Sequence, residues 1–144
     1  MPTVLVNAAE EVLVHLLRAS ETVQELVANR IAPDQLPIDW KDKTSIVYEL
    51  QSDRRQRLVN GTETGLIHTR FTIYCIDRNR GRSRILAKAV RDAIAVNETQ
   101  TIAEVRVRQV FVTDGERDES LPGADGVDAP ERYRALDCVV HYRT

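Results

Sequence analysis

Residues 45–77 read SIVYELQSDRRQRLVNGTETGLIHTRFTIYCID, two strand-like runs that flank an Asn-Gly pair. Asn60-Gly61 favours a hairpin turn of type I′, which needs a positive φ at both central residues. If these residues form the turn, facing residue numbers sum to about 121, and the facing apolar side chains share one side of the hairpin. The three apolar pairs are Ile46 with Cys75, Tyr48 with Ile73, and Leu50 with Phe71. The run therefore predicts one long antiparallel hairpin.

The half of this hairpin nearest the turn, about residues 52–69, begins with Ser52-Asp53-Arg54-Arg55-Gln56-Arg57, which has no apolar stripe. It carries three closely spaced basic residues, Arg54, Arg55 and Arg57. Since such a segment has no apolar face to bury, we expect it to project from the body as a polar arm and to contact a partner.

The remaining patterns supply helices and further strands. Apolar residues recur at three- and four-residue spacing in residues 7–19 and again from about 83 to 96, which predicts amphipathic helices. Apolar and polar residues alternate in residues 105–112 and 133–142, which predicts two more strands. With the hairpin they predict one α+β domain, an antiparallel sheet of about four strands with helices packed on one face. Trp40 falls in a proline-bearing loop, where it either anchors the loop on the core or lies at a subunit contact.

Composition excludes several classes of protein. The net charge of −2 does not favour bulk binding to nucleic acid. No apolar run approaches the roughly 20 residues of a membrane helix. The first residues lack the basic start of a signal peptide, so we expect synthesis in the cytoplasm and no membrane partner. Cys75 and Cys138 lie in apolar strand patterns, which favours two reduced core thiols.

A basic cluster lies at the start of the predicted helix at about residues 83–96 and continues into it. Residues 78–91 contain six basic residues and no acidic one. They are Arg78, Arg80, Arg82, Arg84, Lys88 and Arg91. Three interpretations remain open: a solvated surface, docking on an acidic loop of a neighbouring subunit, or contact with nucleic-acid phosphates.

An acidic counterpart lies in residues 114–131, which hold seven acidic residues and one arginine. At this length, an irregular connection is usually functional or disordered. We expect this acidic loop, through Asp118, Glu119 and Asp125, to meet the arginines of the hairpin arm across a subunit boundary. Opposed charges on one chain suit a head-to-tail interface, and such interfaces can close into rings.

Catalytic and metal-binding motifs are missing from the sequence. His15, His68 and His141 are single and widely spaced. No glycine-rich phosphate loop, zinc-ligand spacing, nucleophile elbow or EF-hand spacing is present. We therefore expect no enzymatic activity, no cofactor and no bound metal.

The order of these segments resembles the phage tail-completion family, the tail terminator or head–tail joining proteins. The resemblance covers residues 10–142. It begins with a helix leading into Leu26-Val27-Ala28-Asn29-Arg30-Ile31 before a proline-bearing loop, and the first strand begins Ser45-Ile46-Val47-Tyr48. The similar segments that follow are Arg70-Phe71-Thr72-Ile73-Tyr74-Cys75, the helix at residues 87–94, Val110-Phe111-Val112 before an acidic loop, and Tyr133-Arg134-Ala135-Leu136-Asp137.

This resemblance implies a structural protein that forms a ring, commonly a hexamer, on the last ring of a tail tube. Such a ring stops tail growth and presents the surface that binds the head. The implied partners are further copies of the chain, the tail tube protein, head-side connector or stopper proteins, and genomic DNA that passes through the lumen without sequence-specific binding. The implied location is the tail–neck junction of the virion, after assembly in the host cytoplasm. A head-side adaptor or stopper, and a small nucleic-acid-binding module, are the alternatives.

Overall fold

The computed structural model describes residues 8–40, 43–61, 63–113, 115–121 and 131–143. Three α-helices lie in this part of the chain: α1 (Ala8–Ala19), α2 (Glu21–Val27) and α3 (Arg80–Ile94). A 3-10 turn covers Ile38–Trp40. The strands are β1 (Ile31–Pro33), β2 (Ser45–Arg57), β3 (Glu63–Asp77), β4 (Gln100–Ile102), β5 (Val105–Val112), β6 (Arg117–Leu121) and β7 (Glu131–Arg143). No helix of the described part is both long and apolar enough to cross a membrane.

The strands form one mixed sheet in the order β1-β2-β3-β7-β5-β4, with β6 also paired to β7. β1 runs parallel to β2, while the other pairs of strands are antiparallel. The α+β class is confirmed, but the prediction of about four antiparallel strands was wrong, because the described part contains seven strands, one of them parallel to its neighbour. The three additional strands have three to five residues, too few to show a clear alternation of apolar and polar side chains.

The main core lies between the three helices and one face of the sheet. Alternate residues of the long strands point into it, among them Ile46, Ile73 and Leu136. From the helices, Leu13 and Leu86 are completely buried against them. Cys75 and Cys138 are free and buried in the same core, as predicted, and burial raises the pKa of each thiol to about 12.

The register of the hairpin is confirmed in its inner half. All three predicted apolar pairs form: Ile46 with Cys75, Tyr48 with Ile73, and Leu50 with Phe71. Nearer the turn, two register shifts interrupt the pairing, one after Leu50 and one after Arg55. The turn itself is closed by a 2.9 Å bond from the amide of Gly61 to the carbonyl of Leu58, so Val59 and Asn60 are its central residues instead of the predicted Asn60-Gly61 pair. Gly61 has a φ of +85°, a conformation that glycine adopts without strain.

The projecting arm is shorter than predicted. β3 pairs with β7 as far as Leu66 opposite Arg143, and Thr69 and Ile67 are buried. Among the described residues, only 56–61 and 63–65 lie beyond the last pair of β3 with β7, in place of the predicted arm of residues 52–69. The remainder of the predicted arm is covered because β3 pairs there with β7, a contact that no local sequence pattern reveals.

The acidic segment also differs from the prediction of an irregular loop. Residues 117–121 form β6, which pairs with the start of β7 from Arg117 opposite Ala135 to Leu121 opposite Glu131. β5 pairs with the other half of the same edge of β7, and the amide of Thr113 donates a 2.8 Å hydrogen bond to the carbonyl of Asp137 at the junction. Residues 122–130, which include Asp125, lie outside the described part.

Candidate interaction surfaces

An ion-pair cluster joins α3 to β6. The side chain of Asn79 accepts a hydrogen bond from the amide of Arg82 and so caps the start of α3, which places Arg80 and Arg84 one turn apart on the same side of the helix. The guanidinium of Arg84 lies 2.8 Å from Oδ2 of Asp118, and that of Arg80 lies 3.8 Å from the same oxygen.

Arg134 of β7 completes this cluster. Its Nε lies 2.6 Å from Oε1 of Glu116, and its Nη1 lies 2.8 Å from Oδ1 of Asp118. Arg91 pairs with Glu116 from the last turn of α3. Hydrogen bonds from Arg134 and then Arg84 lower the pKa of the Asp118 carboxyl from 3.8 to about 2.

Arg80, Arg84 and Arg91 therefore meet acidic residues of their own chain, an arrangement that the sequence analysis did not consider. Arg78 and Arg82 are exposed beside the cluster. Glu119 lies in β6, but its side chain is outside the described part. The contact of Asp118 with a neighbouring subunit stays a prediction, and such a contact would have to share its carboxylate with Arg84 and Arg134.

The hairpin arm lies at the other end of β7. Arg55 pairs with Ile67, which pairs with Tyr142, whereas Asp118 pairs with Arg134. Eight residues of extended strand separate Tyr142 from Arg134, a distance of about 26 Å. Because the arm and β6 lie this far apart within one chain, any contact between them requires a second copy.

The tip of the arm is apolar, which the sequence analysis missed. The side chain of Leu58 is 54% exposed, and that of Val59 is completely exposed. The three arginines Arg54, Arg55 and Arg57 are exposed on the strand that leads to this tip. Trp40 ends the 3-10 turn and is half-buried, and its role as a loop anchor or as a subunit contact stays a prediction.

A second basic surface lies on the side of the sheet that faces away from the helices. Because Phe71, Val107 and Cys138 point into the core, the residues next to them in β3, β5 and β7 point outward. We call this surface the outer basic face. Its members are Arg54, Arg70, Arg106, Arg108, Arg143, His68 and His141.

A shallow cavity of about 340 Å³ opens on the outer basic face. Its lining residues include no carboxylate, and they are Ser52, Arg54, His68, Arg70, Phe111, Thr113, Val139 and His141. The rings of His68 and His141 lie 3.9 Å apart between centroids, and Phe111 contacts His141 edge-on at 5.3 Å. Burial, then His68 and Arg108, lower the pKa of His141 below 6.5.

The sequence analysis treated the two histidines as separate, whereas the pairing of β3 with β7 places them side by side. Only the order of the strands could have revealed this. The described residues contain no group of three or more histidine, cysteine or acidic side chains arranged to hold a metal ion.

Comparison with known proteins identifies a similar fold among solved structures. No protein-family model matches the chain, and no curated protein matches it. Among solved structures, a chain from the virion of a native gene transfer agent particle has a similar fold. The TM-score is 0.64 at 16% sequence identity, and the match covers 97% of this chain and 100% of the other.

This likeness extends over the whole fold, and not over one hairpin or helix alone. At 16% identity it establishes a shared architecture of sheet and helices. The gene transfer agent chain is a component of a virion particle.

Proposed function

We propose that this protein is a structural component of a phage-type virion. In this proposal it forms a ring at the head-proximal end of the tail tube, where it ends tail growth and joins the tail to the head. The observation that carries the proposal is the end-to-end similarity of its fold to a chain of the gene transfer agent virion. The order of sequence segments, similar to that of tail terminators, supports the more specific role.

The distribution of surfaces supports assembly into a ring. The arm, with its arginines and apolar tip, and the β6 edge lie about 26 Å apart on one chain. Two unlike and distant surfaces suit a head-to-tail contact, which repeats around an axis until the ring closes. We propose further copies of the chain, the tail tube protein and head-side connector or stopper proteins as partners, at the tail–neck junction. The proposed role is structural and not enzymatic.

Labelling of isolated tails tests this role. Purified protein carrying a gold label is mixed with tail tubes that lack it and imaged by electron microscopy. The proposal predicts label at one end of each tube, and label along the whole tube would contradict it. Label on the vertex of tailless heads, with none on tubes, would identify a head-side adaptor instead.

A further inference from the structure

We propose that the outer basic face binds the phosphates of double-stranded DNA, with the cavity between Arg54, Arg70 and the paired histidines as its principal contact. The biological setting, DNA moving through a virion ring, rests on the proposed function. The binding itself is a property of the isolated protein and can be measured alone.

The first argument is the unbalanced charge of this surface. Among the described residues, none of its five arginines forms an ion pair with an acidic side chain. Two acidic residues on the same side of the sheet, Asp137 and Glu49, have other partners. Asp137 accepts a 2.8 Å hydrogen bond from Thr72 and pairs with Arg117 at 3.3 Å, and Glu49 accepts a 3.0 Å bond from the hydroxyl of Tyr74. On α3, by contrast, Arg80 and Arg84 share the carboxylate of Asp118, and Arg91 pairs with Glu116.

The second argument is the chemistry of the cavity. The guanidinium groups of Arg54 and Arg70 match phosphate oxygens in planar, two-bonded geometry. The hydroxyl of Ser52 is a further donor at the same opening, and each imidazole has one ring N–H even when neutral. No lining residue repels an anion.

The third argument is the extent of the surface. Its side chains come from β2, β3, β7 and β5, which at about 4.8 Å between strands span about 14 Å. A single small anion would use only one or two of these arginines. Duplex DNA presents one negative charge for every 1.7 Å or so of its axis, and therefore engages them together. Contacts of this kind position DNA without reading its sequence.

Fluorescence anisotropy with a labelled 30-base-pair duplex tests the proposal. The test variant is Arg70→Gln/Arg108→Gln, which removes two charges from the outer basic face and leaves the arm intact. The matched control is Arg82→Gln/Lys88→Gln, which removes two exposed charges from α3. Thermal melting of each variant verifies that it is folded.

The wild type and the control are expected to bind DNA at about 50 mM salt. Removal of two phosphate contacts makes the negative slope of log K against log salt shallower by about 1.8. The wild type should then lose about 12-fold more affinity than the test variant between about 50 and 200 mM salt. The inference is overturned if the control loses as much of its salt dependence as the test variant does. It is also overturned if the wild type does not bind DNA at about 50 mM salt. If tails are still capped by a protein that does not bind DNA, the proposed function stands and this inference alone fails.

Discussion

At the scale of single residues, Asp118 is a carboxylate held by guanidinium groups from two different elements. Its side chain is only 18% exposed and meets guanidinium groups from α3 and β7. We expect Asp118→Asn to lower the free energy of unfolding by about 1–2 kcal/mol, because a hydrogen-bonded ion pair is removed while Arg134 remains half-buried. Urea denaturation measures this change. Asp92→Asn, on the exposed side of α3, is the control and should alter stability by less than about 0.5 kcal/mol.

The difference in stability between the wild type and Asp118→Asn should depend on pH. This dependence distinguishes loss of the ion pair from simple loss of packing. The folded pKa of Asp118, about 2, lies below its ordinary value of 3.8, so folding favours the charged form. The stabilisation is present above about pH 4 and is lost as the pH falls toward 2. Wild type and Asp118→Asn should therefore converge in stability over this range. A difference that stays constant down to pH 2 would contradict the ion-pair explanation.

At the scale of elements, the hairpin shows what local sequence can and cannot predict. Alternation placed Ile46 opposite Cys75, because a slip of one residue would move every apolar side chain to the wrong face. It could not predict the register shift after Leu50, since the polar residues beyond that point bury no common face. Nor could it predict that β7 covers β3 up to Leu66, because that contact joins residues far apart in the chain.

The arm tip carries a prediction of its own. Leu58→Ser/Val59→Ser should leave the fold intact, because both side chains are exposed, but should prevent ring formation if the tip packs on a neighbouring copy. Analytical ultracentrifugation or negative-stain imaging in the presence of tail tubes measures assembly. Ile85→Ser is the matched control, since Ile85 is an exposed apolar residue of α3. Normal rings from the tip variant would show that the tip is not an assembly contact.

At the scale of the whole molecule, the pairing of strands decides which charged residues lie next to one another. The basic cluster of residues 78–91 is conspicuous along the chain, yet Arg80, Arg84 and Arg91 meet acidic residues brought alongside by β6. The outer basic face is inconspicuous, because its residues are spread over four strands. Sequence could identify both sets of residues but not their neighbours. The α+β class, by contrast, follows from local periodicity alone.

The central claim, a virion protein that ends the tail and joins it to the head, is tested most directly by deleting its gene in cells that produce the particle. Electron microscopy of the released material is the measurement. The account predicts DNA-filled heads beside separate tails, with tails of uncontrolled and often excessive length, and restoration of whole particles by the wild-type gene. Normal, infectious particles from the deletion strain would contradict it.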